Sequence, residues 1–235
     1  MASGASSARA GARPGRLTVL IVTLVLGICS AVIFLGWPLL DQQVAALFAD
    51  ESGGFPWKSS PNSKMLRISF KTIFIVGAGI AGISLLLTYL QKRAILGFDQ
   101  RRWLYLVTVL ILGPGLIANV ILKDHWGRAR PVHVMSDGKA FTPALIPSDQ
   151  CARNCSFVSG ESSSIYALFF GLAMMGAGWR AIWLGAGLLL GSMAGLMRMA
   201  QGGHYFSDVV FSGVFMALVA LLLSYWFFND ENDRA

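Results

Sequence analysis

Three short segments of this chain hold residue types that can bind and transfer an anionic group. The first is Lys123-Asp124-His125-Trp126-Gly127-Arg128-Ala129-Arg130-Pro131, the second Val158-Ser159-Gly160-Glu161, and the third runs from Arg198 through His204 to Asp208. His204 and Asp208 are spaced i, i+4 where an apolar run begins, so a helix that already includes His204 would set the carboxylate beside the imidazole. A carboxylate on one ring nitrogen fixes the tautomer and leaves the other nitrogen free as a nucleophile. Lys123, Arg130 and Arg198 can bind phosphoryl oxygens, the guanidiniums as planar forks and the ammonium as a point charge. Charge that builds on those oxygens in a transition state would be stabilised there. Ser159 and Gly160 precede a Ser-rich helical start whose free N–H groups and dipole favour an anion, and Gly160 lets it approach the backbone closely. Arg128 can join these cations or contact lipid headgroups. Each feature has a plainer reading taken singly: a capping His-Asp pair, snorkelling cations, an ordinary N-cap. Their combination favours a phosphate site.

The elements that must position these residues are apolar. The chain has 235 residues, 55% hydrophobic and only 13% charged, with a mean hydropathy of +0.61, a balance that a soluble domain does not sustain. The net charge of +7 comes in short blocks between apolar runs rather than along one solvated face, which argues against nucleic acid as a partner. Runs of membrane-spanning length occur at 17–37, 68–90, 103–122, 162–179, 181–197 and 207–228. The expectation is an all-α polytopic membrane protein of six transmembrane helices, with the fourth and fifth separated at Trp179-Arg180. The first run follows Arg9, Arg13 and Arg16 and lacks an A-x-A-like cleavage site, so it reads as an uncleaved anchor. A single domain spans 17–228, between a disordered cytoplasmic tail at 1–16 and a short polar tail at 229–235. Segment 38–67 reads as a loop with a short interfacial helix from Leu40 to Phe48.

Basic residues near the helix ends set the orientation. With the N-terminus inside, nine of the 19 Lys and Arg are cytoplasmic and ten lie outside. Four of those ten, Lys123, Arg128, Arg130 and Arg198, belong to the candidate site and carry no topological information. The dense block Lys92-Arg93 to Arg101-Arg102 then favours the N-inside arrangement, which puts all three segments on the outer face.

Lys-x6-Arg-Pro, then Ser-Gly, then Arg-x5-His-x3-Asp resembles the type 2 phosphatidic acid phosphatase superfamily, which also includes bacterial acid phosphatases and vanadium haloperoxidases. The resemblance covers about 120–210 directly. It implies that His204 forms a phosphohistidine and Asp208 orients it, while Lys123, Arg130, Arg198, Ser159 and the Gly160 amide hold the phosphate. It implies no metal and no other cofactor. Two departures stand out. The family's second segment usually reads Pro-Ser-Gly-His, and here Val158 and Glu161 replace the Pro and the His; the third usually begins Ser-Arg, and here Met197 precedes Arg198. The family His protonates the leaving alcohol, so Glu161 is the candidate to take that role as a carboxylic acid. The competing reading is that Glu161 neutralises Arg128 or another cation and water supplies the proton.

Cys151 and Cys155 precede the second segment, where an oxidising compartment would permit a disulfide. Cys29 reads as packing. His125 and His133 flank the first segment and read as solvated or lipid-facing rather than as metal ligands. The implied activity is a membrane phosphatase acting on a lipid phosphate, with lipid A favoured among the family's substrates, and membrane lipids are its remaining partners. The site would face the periplasm from a bacterial inner membrane. Phosphotransfer to another lipid, a non-catalytic anionic-lipid binder or transporter, and a metal hydrolase using His125, His133 and Glu161 are the alternatives.

Overall fold

A computed structural model of the chain describes residues 15–228. The tails expected at 1–16 and 229–235 lie outside the described residues, apart from Gly15 and Arg16. The described residues are helical, with no strand among them beyond an isolated bridge between Ile95 and Phe98.

The helices are α1 (Arg16–Gly36), α2 (Leu39–Ala46), α3 (Pro61–Gln91), α4 (Gln100–His125), α5 (Pro131–Ser136), α6 (Gly160–Met175), α7 (Arg180–Ala200) and α8 (Phe206–Phe228). Five of them, α1, α3, α4, α7 and α8, are long and apolar enough to cross a membrane, and the protein is an integral membrane protein. The sixth expected span, 162–179, is where the structure departs from the sequence reading. The helix there has 16 residues, ends at Met175, and is followed by extended backbone at Gly176 before α7 starts at Arg180. Sixteen residues rise about 24 Å, short of a hydrocarbon core about 30 Å thick. Twelve of the 16 are buried, because α3, α4, α7 and α8 all pack around this helix.

Close approach of α6 and α7 depends on Gly187, Gly191 and Gly195, spaced i, i+4 on α7. A Cβ at Gly191 would stand 2.4 Å from the Tyr166 ring, and one at Gly195 would stand 2.2 Å from Val209 on α8. Small residues at such spacing let backbones meet where lipid supplies no hydrophobic drive between helices. Tyr166 and Ser192 then share a hydrogen bond of 2.9 Å across the same contact.

Two departures at helix ends matter for the site. Hydropathy starts the second span at residue 68, but α3 begins at Pro61, where the fixed φ of proline suits a first helical position. The two extra turns carry Lys64 and Arg67. Within α4, the stretch Ile111–Leu122 widens into a π-helix around Gly113-Pro114-Gly115. Pro114 cannot donate to the helical ladder, and Asn119 Nδ2 instead reaches back to its carbonyl at 2.6 Å. This wide turn delivers Lys123 to the C-terminal end of the helix. The expected short helix is present as α2; one face is exposed at Leu39 and Gln43, and the other buries Asp41 and Ala45.

Candidate active site

His204 lies between the end of α7 at Ala200 and the start of α8 at Phe206, so helical i, i+4 geometry does not link it to Asp208. Its ring is buried. Nδ1 stands 2.6 Å from the Ser156 carbonyl oxygen and 3.8 Å from Asp208 Oδ2. A carbonyl only accepts, so Nδ1 carries the proton and Nε2 keeps its lone pair. Nε2 is buried and has no hydrogen-bond partner among the described residues. Burial pushes the imidazole down to about 4, with the Lys123 and Arg198 charges adding to the fall and Asp208 opposing it, so the ring is neutral at ordinary pH. The tautomer is thus fixed by the Ser156 backbone rather than by direct contact with Asp208.

Asp208 spends its oxygens elsewhere. Oδ1 pairs with Arg128 Nη1 at 2.5 Å, and Oδ2 accepts from Ser156 Oγ at 2.5 Å and from the Tyr205 N–H at 2.8 Å. Arg128 is 0% exposed, which does not fit contact with lipid headgroups, one of the two alternatives for it. Its Nη2 pairs with Asp41 Oδ2 at 2.7 Å, its Nε donates to the Thr142 carbonyl at 2.8 Å, and its guanidinium lies over the Tyr205 ring, 4.3 Å from the centroid. A buried guanidinium is stable only when paired and hydrogen-bonded on all its edges, and these contacts meet that demand.

The second charge cluster is built differently. Glu161, in the first turn of α6, meets Arg67 Nε at 2.7 Å through Oε1 and Arg198 Nε at 2.7 Å through Oε2. The Arg198 Nε–H is not aimed along its contact, so that pair is an ionic approach rather than an aligned hydrogen bond. Arg198 also bonds Gln201 through Nη1, and its guanidinium packs on Gly203, where a Cβ would stand 2.5 Å from Nη2. Lys123 lies against Gly160: a Cβ there would come within 2.8 Å of Nζ and 2.7 Å of Asn119 Oδ1. The N–H groups of Gly160, Glu161 and Ser162 open α6 and have no intrahelical acceptor. Ser159 is buried at the N-cap, with Oγ 3.0 Å from Ser162 Oγ.

Arg130 stands further out. Its Nη2 donates to both the carbonyl and the side-chain oxygen of Asn154, each at 2.7 Å. Asn154 adopts a left-handed conformation (φ 51°) that asparagine tolerates. The loop that carries it is tied to the first segment by three backbone N–H groups: Asn154 to Asp124 Oδ1 at 3.0 Å, Cys155 to the Lys123 carbonyl at 2.9 Å, and Ser156 to the Arg128 carbonyl at 2.8 Å. Cys151 and Cys155 are joined as a disulfide with Cα atoms 5.7 Å apart. Cys29 is a free thiol on an exposed face of α1, not a packed one. His125 caps carbonyls of its own helix at Val120 and Ile121, and His133 pairs with Asp137 at 2.6 Å; both are exposed.

The structure therefore gathers His204, Asp208, Lys123, Gly160, Glu161 and Arg198, sets Ser159 and Arg130 at the edges, and withdraws Arg128 into the interior. Three contributors escaped the sequence reading. Arg67 carried a signal, a cation beside an apolar span, but fell outside the hydropathy window. Asp41 was a lone acid in a loop helix. Ser156 acts largely through its carbonyl, which any residue could supply.

The geometry can be compared with known proteins. The PAP2 superfamily profile matches residues 102–232. A lipid A 4'-phosphatase from Francisella tularensis subsp. novicida is 34% identical over 212 residues, covering 84% of this chain and 90% of that protein. A lipid A 4'-phosphatase from Rhizobium etli is 36% identical over 200 residues, covering 82% and 77%. A lipid A 1-phosphatase of the same organism is 34% identical over 158 residues, covering 64% and 62%. No solved structure matches the chain. Because the matched region takes in more than half of the chain and all three site segments, and because relatives align along most of their length, the chain belongs to the PAP2 superfamily.

Proposed function

We propose that this membrane phosphatase removes the 4'-phosphate of lipid A through a phosphohistidine on His204. The observation that carries the chemistry is the buried, unpartnered Nε2 of a neutral His204 whose other nitrogen is held by Ser156. Two relatives named lipid A 4'-phosphatase align over more than four fifths of the chain, which supports the substrate. In the first step Nε2 attacks phosphorus and the bond to the sugar oxygen breaks. Lys123, Arg198 and the amides at Gly160 take the charge that builds on the phosphoryl oxygens. Arg130 joins when its contacts with Asn154 are exchanged for a phosphate oxygen. In the second step water attacks phosphorus, the N–P bond breaks, and inorganic phosphate leaves with His204 neutral again.

Glu161 takes the charge-neutralising role in this reading. Two guanidiniums at 2.7 Å favour its carboxylate form, which is the wrong form for donating a proton. It holds Arg67 and Arg198 until a phosphate displaces it, and water protonates the leaving sugar oxygen.

The protein sits in the bacterial inner membrane with the site toward the periplasm and the N-terminus inside, α6 completing six crossings over residues 162–179. Arg67, now within the site, is a fifth outer cation without topological meaning, which strengthens the excess of cytoplasmic charge around Lys92, Arg93, Arg101 and Arg102. The test is phosphate release by the purified full chain and by His204→Ala from lipid A, phosphatidate, phosphatidylglycerophosphate and an isoprenyl pyrophosphate. Release from lipid A by the wild type and none by His204→Ala is the expected result. Equal release by both overturns the nucleophile, and no release from lipid A overturns the substrate.

A further inference from the structure

We propose that Asp41 and Arg128 are positioning residues for phosphoryl transfer, forming with Asp208 a buried ion triad that sets one net negative charge on the Nδ1 side of His204. The inference rests on the phosphatase reading above and extends it to α2, outside the three site segments and outside the region of the family match. Arg128 bridges the two carboxylates, with Nη2 to Asp41 at 2.7 Å and Nη1 to Asp208 at 2.5 Å. Ser207 closes the ring: its hydroxyl donates to Asp41 Oδ2 at 2.5 Å and accepts from Arg128 Nη1 at 2.9 Å, while its N–H donates to Asp41 Oδ1 at 2.9 Å. All three charged side chains are buried, with relative exposures of 0% or 1%.

The charge arithmetic gives this triad a purpose that a salt bridge alone would not have. Two carboxylates and one guanidinium leave one negative charge in a dry region, where its field is weakly screened. When Nε2 bonds phosphorus, the ring becomes positive and that charge is shared with Nδ1–H. Lys123 and Arg198, facing the ring on the phosphate side, oppose the change. The triad offsets them from the other side, with Asp208 3.8 Å from Nδ1. Asp41 supplies the excess: an Arg128–Asp208 pair without it would be neutral. Asp41 also holds the Arg128 fork, which holds Asp208, which holds Ser156 Oγ and thereby the loop whose carbonyl fixes the ring.

The test uses the full chain in detergent, with lipid A as substrate and inorganic phosphate, a competitive inhibitor held by the cations without a bond to Nε2, as the ground-state probe. Asp41→Asn keeps the side-chain volume and removes the charge. The expected result is a kcat reduced about tenfold to a hundredfold, the size that loss of one weakly screened unit charge several ångströms away implies, with KM and inorganic phosphate affinity within about twofold of wild type. Ser207→Ala, which loosens the triad without stranding a charge, should lower kcat about threefold at constant KM, and it serves should Asp41→Asn not fold. A folded Asp41→Asn, or failing it Ser207→Ala, with wild-type kcat overturns the proposal. So does a fall in kcat matched by an equal loss of inorganic phosphate affinity, which would make the triad a scaffold for the phosphate site only. Absence of phosphate release by the wild type is a separate result that overturns the phosphatase reading itself, and the triad's catalytic role with it.

Discussion

Two charge clusters flank His204, and they are built to opposite rules. On the Nδ1 side, Asp41, Arg128 and Asp208 place two carboxylates on one guanidinium, sealed from solvent with every edge hydrogen-bonded. On the other side one carboxylate, Glu161, answers Arg67 and Arg198 with Lys123 and Arg130 nearby, and the Arg67 side chain is 42% exposed. The first cluster is closed and has an excess of negative charge; the second is open and has an excess of positive charge. A closed network cannot bind an anion, because its donors are already used. An open one can, because one carboxylate cannot satisfy several cations and a phosphate dianion displaces it at little cost. The contrast also separates Arg128, buried between two carboxylates, from Arg198, which shares one carboxylate with Arg67.

Substitutions can break this comparison in order of expected effect. His204→Ala removes the group between the clusters and should lower kcat roughly 10,000-fold or more, measured as phosphate release from lipid A with protein recovery held equal. Arg128→Met strands two buried carboxylates beside each other and should destabilise the fold by about 3–5 kcal/mol, read as a lowered Tm in detergent. Arg198→Met, in the open cluster, should leave Tm nearly unchanged and lower kcat/KM about 100-fold to 1,000-fold. Were Arg198→Met to unfold the protein while Arg128→Met left it stable and merely slow, the assignment of the two clusters would be reversed.

Glu161→Gln sharpens the comparison with the smallest effect. Neutralising the only carboxylate of the open cluster frees Arg67 and Arg198, so KM should fall a few-fold while kcat stays within about tenfold of wild type. A proton donor would behave otherwise: its loss would lower kcat by about 100-fold or more at unchanged KM. Steady-state kinetics with lipid A separates the two outcomes.

The open cluster was more legible in the sequence than the closed one. Lys123, Gly160, Arg198 and His204 announce themselves because phosphate chemistry demands particular residue types at fixed spacings. Asp41 gives no such signal: its partner Arg128 is 87 residues away, and only the folded loop brings them together. Ser156 positions His204 through a carbonyl that every residue possesses. Hydropathy finds five helices of spanning length, and the sixth expected span is the shorter α6, which its neighbours shield and which opens on Glu161, Ser162, Ser163 and Ser164. Hydropathy also clipped Arg67 from α3, because a window stops at charges and a helix does not. The i, i+4 spacing of His204 and Asp208 suggested a direct contact, but α8 starts two residues too late for it.

In the proposed reaction a neutral His204, held at Nδ1, attacks phosphorus with Nε2. Rapid-quench trapping of the enzyme during turnover of lipid A, followed by peptide mapping and phosphorus NMR under alkaline conditions that preserve the N–P bond, tests it most directly. The expected result is a phosphoryl group on His204 at Nε2, formed and consumed at rates that match turnover. A phosphoryl group on Nδ1 or on another residue, or phosphate release with no covalent intermediate, would contradict it.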